Sequence, residues 1–387
     1  MVRPTVARVD LAALQSNYRS IVDSLQRDQP PGVIAVVKAN AYGHGAGQVA
    51  LALENAGADL LACADIEEGA ALRAAGVRAE ILVFGALSVS DLDGLFDCTL
   101  TPTISTPGAA HAVQAAAARY KRTLRYHLKI DTGMNRLGFR FDNLRRTLPD
   151  LLASPNLELA AAYTHFATAD DPESPLFGEQ RARFERALND INDLRPGTIA
   201  RETPGGSSRP ERTPYIHAAN SAATLRDARV WYDRVRPGLL LYGVVPPPLH
   251  STLPLTPVIT LVSRVVAVKG VRPGEGVGYG VKFTAEGPTK IAIVPAGYAD
   301  GLDLRLAGRG AVLIRGRRAP IVGSVCMDTL MADVTKIADA SPGDDVVIIG
   351  AQGDDRIDVR EMAAQIGTIP YEILCRIGSR IERVYSA

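Results

Sequence analysis

Short apolar runs alternate with alanine-rich stretches of helical character from Val33 to about Leu241. The runs Val33–Val37, Leu60–Ala64, Ile81–Phe84, Cys98–Ile104, Tyr126–Ile130, Leu159–His165, Ile216–Ala219 and Trp231–Val235 have the length and content of buried strands. Around and between them, Leu11–Leu25, Gly47–Ala56, Glu67–Ala75, Pro107–Tyr120 and Gly178–Leu194 read as helices. Eight strand–helix units within roughly 240 residues is the repeat of a (β/α)8 barrel. The competing arrangement, a doubly wound sheet, usually carries a glycine fingerprint at its first turn, and none stands here. Past Pro246-Pro247-Pro248, a stiff connector, the helical pattern nearly vanishes. Val258–Val268, Lys290–Val294, Gly310–Ile314 and Asp345–Ile349, set between glycine-rich turns, predict a β-rich second domain. The expected fold is therefore α/β, with a barrel over residues 1–245 and a mainly β domain over 246–387. A polar segment, 197–214, precedes the seventh barrel strand and should be a solvated loop on the face away from chemistry.

Composition narrows the function classes. A chain of 387 residues, 47% hydrophobic and 22% charged, can pack two domains. Its net charge of +1 argues against a nucleic-acid or membrane-surface partner. No apolar run approaches bilayer-spanning length, and Met1-Val-Arg-Pro-Thr5 has no signal-peptide core. Cys63, Cys98, Cys326 and Cys375 show neither CxxC spacing nor the density of a disulfide framework. These features predict a cytoplasmic protein.

Candidate chemistry collects at the strand ends. Lys38 closes the first run, before the turn Ala39-Asn-Ala-Tyr-Gly-His-Gly45. A desolvated lysine is how proteins make an amine nucleophilic. A snorkelling lysine at a strand edge is the blander alternative, but Tyr42-Gly-His-Gly45 makes little sense as packing. Lys129, Asp131 and Arg136 follow the fifth run, His165 the sixth, Asn220 and Ser221 the seventh, and Arg236 with Gly238 the eighth. Barrel enzymes gather their chemistry on that face, with phosphate sites after the last two strands. Asn220-Ser221 before Ala-Ala-Thr-Leu has the form of a helix N-cap, whose free amides suit a phosphate dianion. Any one of these residues alone would pass for a cap or a core histidine. Five decorated strand ends together point to a site.

Taken in order, Val37-Lys-Ala-Asn-Ala-Tyr-Gly-His-Gly45, Lys129-Ile-Asp-Thr-Gly-Met-Asn-Arg-Leu-Gly138, Thr164-His-Phe-Ala167 and His217-Ala-Ala-Asn-Ser-Ala222 resemble the alanine racemase family. The resemblance continues through Val235–Gly238, Gly278–Gly280, Gly297–Gly301, Cys326–Asp328 and Ile369–Glu372, and so spans nearly the whole chain. It implies a pyridoxal 5'-phosphate enzyme that interconverts L- and D-alanine with two bases, supplies D-alanine for peptidoglycan, and works as a homodimer with shared sites. By it, Lys38 carries the cofactor and serves one face of the substrate. Tyr279 is the second base; a phenol near pKa 10 needs cationic surroundings for that role. Tyr42, Asn220, Ser221, Gly238, Leu239 and Tyr371 would hold the phosphate. Arg236, backed by His165 and His217, would face the pyridine nitrogen. A guanidinium is never deprotonated, so that nitrogen stays unprotonated and side reactions of the carbanion are limited. Arg136 and the Met327 backbone would bind the substrate carboxylate. Lys129 would carry a carbamate that holds Arg136, a plain lysine beside Asp131 being the other reading. Tyr298, Cys326 and Asp328 would lie with Tyr279 and Met327 over the partner's barrel mouth.

Three other activities compete. A barrel-type decarboxylase with this cofactor would be expected to present an acidic residue where Arg236 stands. A non-enzymatic cofactor-binding barrel would lack the second domain. A racemase of serine or of broad specificity would keep every catalytic residue. The chain departs from the family pattern at the corridor: Ser324 replaces a common arginine, and Leu304 takes another's place with Arg305 one position late, while Asp170 and Ile369 are retained. The mouth should be less positive, and small amino acids other than alanine better accepted than usual.

Overall fold

The computed structural model describes residues 4–87, 91–195 and 214–387. The chain opens with β1 (Val6–Asp10) and the helix Leu11–Ser24, capped by Asp10, whose carboxylate accepts from the Ala13 amide at 2.8 Å. Then come β2 (Gly32–Val36), β3 (Leu60–Cys63), β4 (Glu80–Val83), β5 (Thr101–Ile104), β6 (Leu124–Asp131), the two-residue β7 (Phe139–Arg140), β8 (Leu157–Tyr163), β9 (Tyr215–Asn220) and β10 (Arg234–Arg236). Apart from β1 these form one sheet, in the order β5-β4-β3-β2-β10-β9-β8-β6-β7, and a β5–β6 pairing closes the ring. The ladders are parallel throughout. This is the expected barrel. Strands such as β3 and β5 are buried along their whole length, because the ring interior covers one face and helices the other.

Three expected strand bounds shift. Cys98 caps the helix Asp93–Asp97, and Thr99 turns through a positive φ of 49°, so β5 starts only at Thr101. Trp231 follows a 3-10 turn, donates its indole N–H to the Thr224 carbonyl at 2.9 Å, and precedes β10. His165 lies just beyond β8 instead of inside it.

The second sheet is built from β11 (Ile259–Arg264), β12 (Ala267–Val271), β15 (Thr289–Val294), β16 (Ala311–Ile314), β17 (Arg317–Val322), β18 (Leu330–Asp333), β19 (Asp345–Gln352), β20 (Asp355–Ile357) and β21 (Glu382–Ser386). A separate ribbon pairs β13 (Gly276–Val277) with β14 (Phe283–Thr284). The helices Val359–Ile366 and Pro370–Arg376, unseen in the sequence pattern, also lie here. β1 joins this second sheet, antiparallel to β11 and parallel to β21. The expected barrel span of 1–245 therefore has an exception at its start: Ala7 and Val9 are fully buried between strands from the far end of the chain. One continuous hydrophobic core runs from the barrel into this sheet. Among the described residues no helix is long and apolar enough to cross a membrane. The expected solvated loop falls, from 197 to 213, outside the described residues.

Candidate active site

Lys38 emerges from β2 into an unusual turn. Ala39, Asn40, Ala41 and Tyr42 all have φ of 52–53°, the left-handed region. Each such residue costs on the order of 1–2 kcal/mol, Asn the least, and stretches of this kind persist only where their surroundings over-determine them. The surroundings here do so. The Ala41, Gly43 and Gly45 amides donate to the Val37, Ala39 and Asn40 carbonyls at 2.9–3.0 Å. Glu68 accepts from the Ala39 amide at 2.7 Å and from the Ala64 amide at 2.8 Å. The buried His44 ring lies with Nδ1 at 3.0 Å from the Ala41 carbonyl and 2.9 Å from that of Tyr42, and so donates to both. Lys38 itself is held below the usual lysine range, first by desolvation and then by the Arg136 charge. The strained turn thus presents an amine biased toward its neutral, nucleophilic form.

Across the barrel mouth, Arg236 is buried and anchored through both Nη atoms. One Nη donates to His217 Nδ1 at 2.8 Å. The other reaches the Thr164 and Ala218 carbonyls, both at 2.8 Å, and His165 Nδ1 at 3.2 Å. An arginine cannot accept, so both imidazoles must offer Nδ1 as an acceptor and carry their proton on Nε2. From there the order propagates. His217 Nε2 faces His127 Nδ1 at 3.2 Å, and His127 Nε2 faces the Tyr215 hydroxyl at 2.8 Å. His127 and His217 are fully buried. Desolvation holds His127 down to about 3 and pushes His165 and His217 well below the usual imidazole range. Burial lowers Arg236 to about 10, which leaves it cationic at neutral pH. Tyr163 stacks on His217 at 4.6 Å and lies under the Arg236 and Lys129 cations at 5.2 and 5.7 Å. Lys129, Tyr163 and His217 stand in register on β6, β8 and β9. The sequence reading missed His127, Tyr163 and Tyr215. The signal was period two: His127 and Lys129, like Tyr215 and His217, are two apart and so share the inward face.

The expected helix cap after β9 is present. Asn220 caps the short helix Ser221–Arg226, its Oδ1 accepting from the Ala223 amide at 2.9 Å. Ser221 Oγ accepts from the Gly238 amide at 2.9 Å and the Leu240 amide at 3.5 Å, which leaves its own proton to donate outward. The Tyr42 ring lies 5.8 Å from that of Tyr371 and 4.9 Å from that of Tyr242. Burial pushes the Tyr42 phenol up, and Tyr371 up to about 12, so both hydroxyls stay protonated and can donate. A side chain at Gly238 would put its Cβ 2.2 Å from the Tyr42 hydroxyl. Leu239 is fully buried beneath the cradle. Hydroxyl donors of this kind fit a phosphate dianion.

The residues expected from the second domain form a separate patch. Tyr298 and Ala299 amides donate to the Cys326 and Met327 carbonyls at 2.9 and 3.1 Å. Ser324 Oγ donates to the Tyr279 carbonyl at 2.8 Å, and Asp328 pairs with Arg380 at 2.6 Å. Tyr279 is 79% exposed and Met327 53%, so neither packs on this chain's own barrel mouth. Arg136 is also exposed. Lys129, buried and held down to about 8 by desolvation and by the Arg136 charge, makes no hydrogen bond through its amine among the described residues. Leu304 is exposed, and Arg305 turns back onto Asp303 at 2.7 Å and Glu372 at 3.6 Å.

Comparison with known proteins agrees with this geometry. Residues 9–246 match the model of the alanine racemase N-terminal domain, and residues 258–385 that of the alanine racemase C-terminal domain. An alanine racemase of Halothermothrix orenii is 39% identical, covering 100% of this chain and 97% of its own. One of Carboxydothermus hydrogenoformans is 40% identical, with coverages of 99% and 100%. Among solved structures, alanine racemase from D-cycloserine-producing Streptomyces lavendulae superposes with a TM-score of 0.90 at 34% identity, over 100% of this chain and 98% of that one. An alanine racemase of Bartonella henselae with covalently bound pyridoxal phosphate gives 0.85 at 28% identity, over 99% of both chains. Matched in both domains and along its full length, the chain belongs to the alanine racemase family.

Proposed function

We propose that the protein interconverts L- and D-alanine, with pyridoxal 5'-phosphate held covalently on Lys38. The observation that carries this is the Lys38 amine, biased toward its neutral form in a strained turn, within reach of the Arg136 and Arg236 charges that act on it. Bound there, pyridoxal phosphate supplies the electron sink that makes an amino acid's α-hydrogen removable. Ser221, Tyr42, Tyr371, the Asn220 cap and the Gly238–Leu239 backbone would hold its phosphate. Arg236 would donate to its ring nitrogen. The His217–His127–Tyr215 chain supports that role, because it fixes His217 Nδ1 as the acceptor for Arg236, and the depressed imidazole is far too weak a base to take the guanidinium's proton.

Racemisation needs a base on each face of the substrate's α-carbon. Lys38 would move the proton on the D side, and Tyr279 on the L side. Tyr279 is exposed on the second domain, which supports a homodimer in which each chain completes its partner's site. Arg136 and the Met327 amide would grip the carboxylate. Lys129, at about 8, is deprotonated often enough near neutral pH to add carbon dioxide. The N–C bond forms as one proton leaves, and the resulting carbamate anion would hold Arg136. Tyr298, Cys326 and Asp328 would shape the mouth. The protein would work in the cytoplasm on a free amino acid. Exposed Leu304 and an Arg305 already paired with Asp303 and Glu372 support a second, broader reading, in which other small amino acids, serine first, are also turned over.

Borohydride should fix the cofactor on the peptide carrying Lys38, and the unreduced protein should racemise either enantiomer of alanine, followed by optical rotation. An adduct on another lysine, or optical rotation that never decays, would refute the assignment.

A further inference from the structure

We propose that Arg383, on the last strand of the chain, is a positioning residue for Lys38 that acts through the carbonyl of Gly43; the inference rests on Lys38 being the cofactor lysine. The left-handed turn satisfies most of its own carbonyls. Those of Ala39 and Asn40 receive the Gly43 and Gly45 amides, that of Ala41 receives the His44 amide and ring, and that of Tyr42 the His44 ring. The Gly43 carbonyl is met from outside. Arg383 Nε and Nη2 both donate to it, at 3.1 and 3.0 Å. The rest of the guanidinium is tied down at home: Nη1 donates to the Gly378 and Ile381 carbonyls and Nη2 to that of Ile377. Five hydrogen bonds onto four carbonyls make a rigid fork between the second domain and the strained turn. A lysine, with one point charge on a flexible stem, cannot span that set.

A second contact from the same strand reinforces the first. Tyr385 stands two residues on, on the same partly buried face of β21. A Cβ at Gly45, whose φ is 98°, would fall 1.8 Å from its hydroxyl, so the tyrosine closes the far end of the turn. β21 in turn is held by its parallel ladder to β1. The geometry of the lysine after the first barrel strand is therefore set partly by the final strand of the other domain. That domain also carries Tyr279 and Met327, so one rigid connection links a chain's own lysine to the residues that it offers to its partner's site.

The test uses full-length, cofactor-loaded Arg383→Met and Arg383→Lys enzymes beside the parent. Amide hydrogen exchange is read by mass spectrometry on peptides covering 39–45 and 377–385, with kcat, KM and the pH titration of the visible absorption of the bound cofactor. Arg383→Met should raise exchange in 39–45 by tenfold or more. It should lower kcat by about 10- to 100-fold, as a misplacement near 1 Å does, with KM changed less, and shift the absorption titration. Arg383→Lys keeps the charge and at most one of the bonds, should fold where methionine does not, and should show the same changes in smaller measure. A purely structural role would loosen 377–385 and lower Tm while 39–45 and the absorption titration stayed as in the parent; that result overturns the proposal. So does faster exchange in 39–45 with unchanged kcat. The Lys38 assignment is judged separately, by the borohydride adduct on the parent enzyme.

Discussion

Replacing His127 by leucine tests the buried histidine chain through its dependence on pH. Leucine fills much of the ring's volume but offers no nitrogen to His217 Nε2 or to the Tyr215 hydroxyl. His217 is fully buried, so its N–H is left without an acceptor, at about 1–3 kcal/mol. The Tyr215 hydroxyl is only part-buried and can turn to water at little cost. The variant should therefore be about 2 kcal/mol less stable near pH 7.5. Acid changes the comparison. His127 is held at about 3 in the fold against the ordinary imidazole value of 6.5, so as pH falls below 6.5 the unfolded chain binds its proton first. A depressed histidine of this kind destabilises the fold by about 1.4 kcal/mol per pH unit through that window. At pH 5, about 1.5 units down, the parent has lost about 2 kcal/mol through His127 alone. Leucine titrates in neither state and loses none of it. The variant's stability deficit should thus be nearly erased at pH 5. Urea unfolding by linear extrapolation, at both pH values and one protein concentration, reads the two differences. Equal deficits at pH 7.5 and pH 5 would mean that His127 protonates within the fold, and the neutral, single-tautomer chain would be refuted.

Tyr279→Phe should block proton abstraction from L-alanine by two to four decades while sparing the D side; equal loss of solvent-deuterium exchange into both enantiomers would remove the two-base scheme. Mixing Lys38→Ala with Tyr279→Phe chains should restore activity through one intact hybrid site per dimer, and no recovery despite demonstrated subunit exchange would count against shared sites. Ser324→Arg should lower the kcat/KM ratio of serine to alanine, within the roughly 1–3 kcal/mol that a hydroxyl or methyl can discriminate. Since Ser324 also donates to the Tyr279 carbonyl, Ser324→Thr, which keeps the hydroxyl, serves as the control for that bond; an unchanged serine-to-alanine ratio in Ser324→Arg would make the corridor substitution neutral.

Much of this molecule was legible in one dimension. Eight short apolar runs separated by helical stretches called for a parallel sheet covered on both faces, and their number, with no glycine fingerprint at the first turn, pointed to a closed barrel. Polar residues stranded at the ends of those runs, Lys38, His165, Ser221 and Arg236, marked one rim. Both signals are local, and local signals survive in a string of letters. What escaped was set by partners far along the chain. β1 is five residues long, and it becomes part of the second sheet only because β11 and β21 flank it. His127 and Tyr215 sit inside otherwise apolar runs, and their chemistry appears only when the register of β6, β8 and β9 sets His127 level with Tyr215, two residues below His217. Arg305 looked like a corridor cation one place late, yet its charge is taken up by Asp303 and by Glu372 on the helix Pro370–Arg376. The letters from Ala39 to Tyr42 announce a turn and no more. Its left-handed course is imposed by Glu68, His44 and Arg383, whose hydrogen bonds outweigh a strain that no residue of the segment prefers on its own.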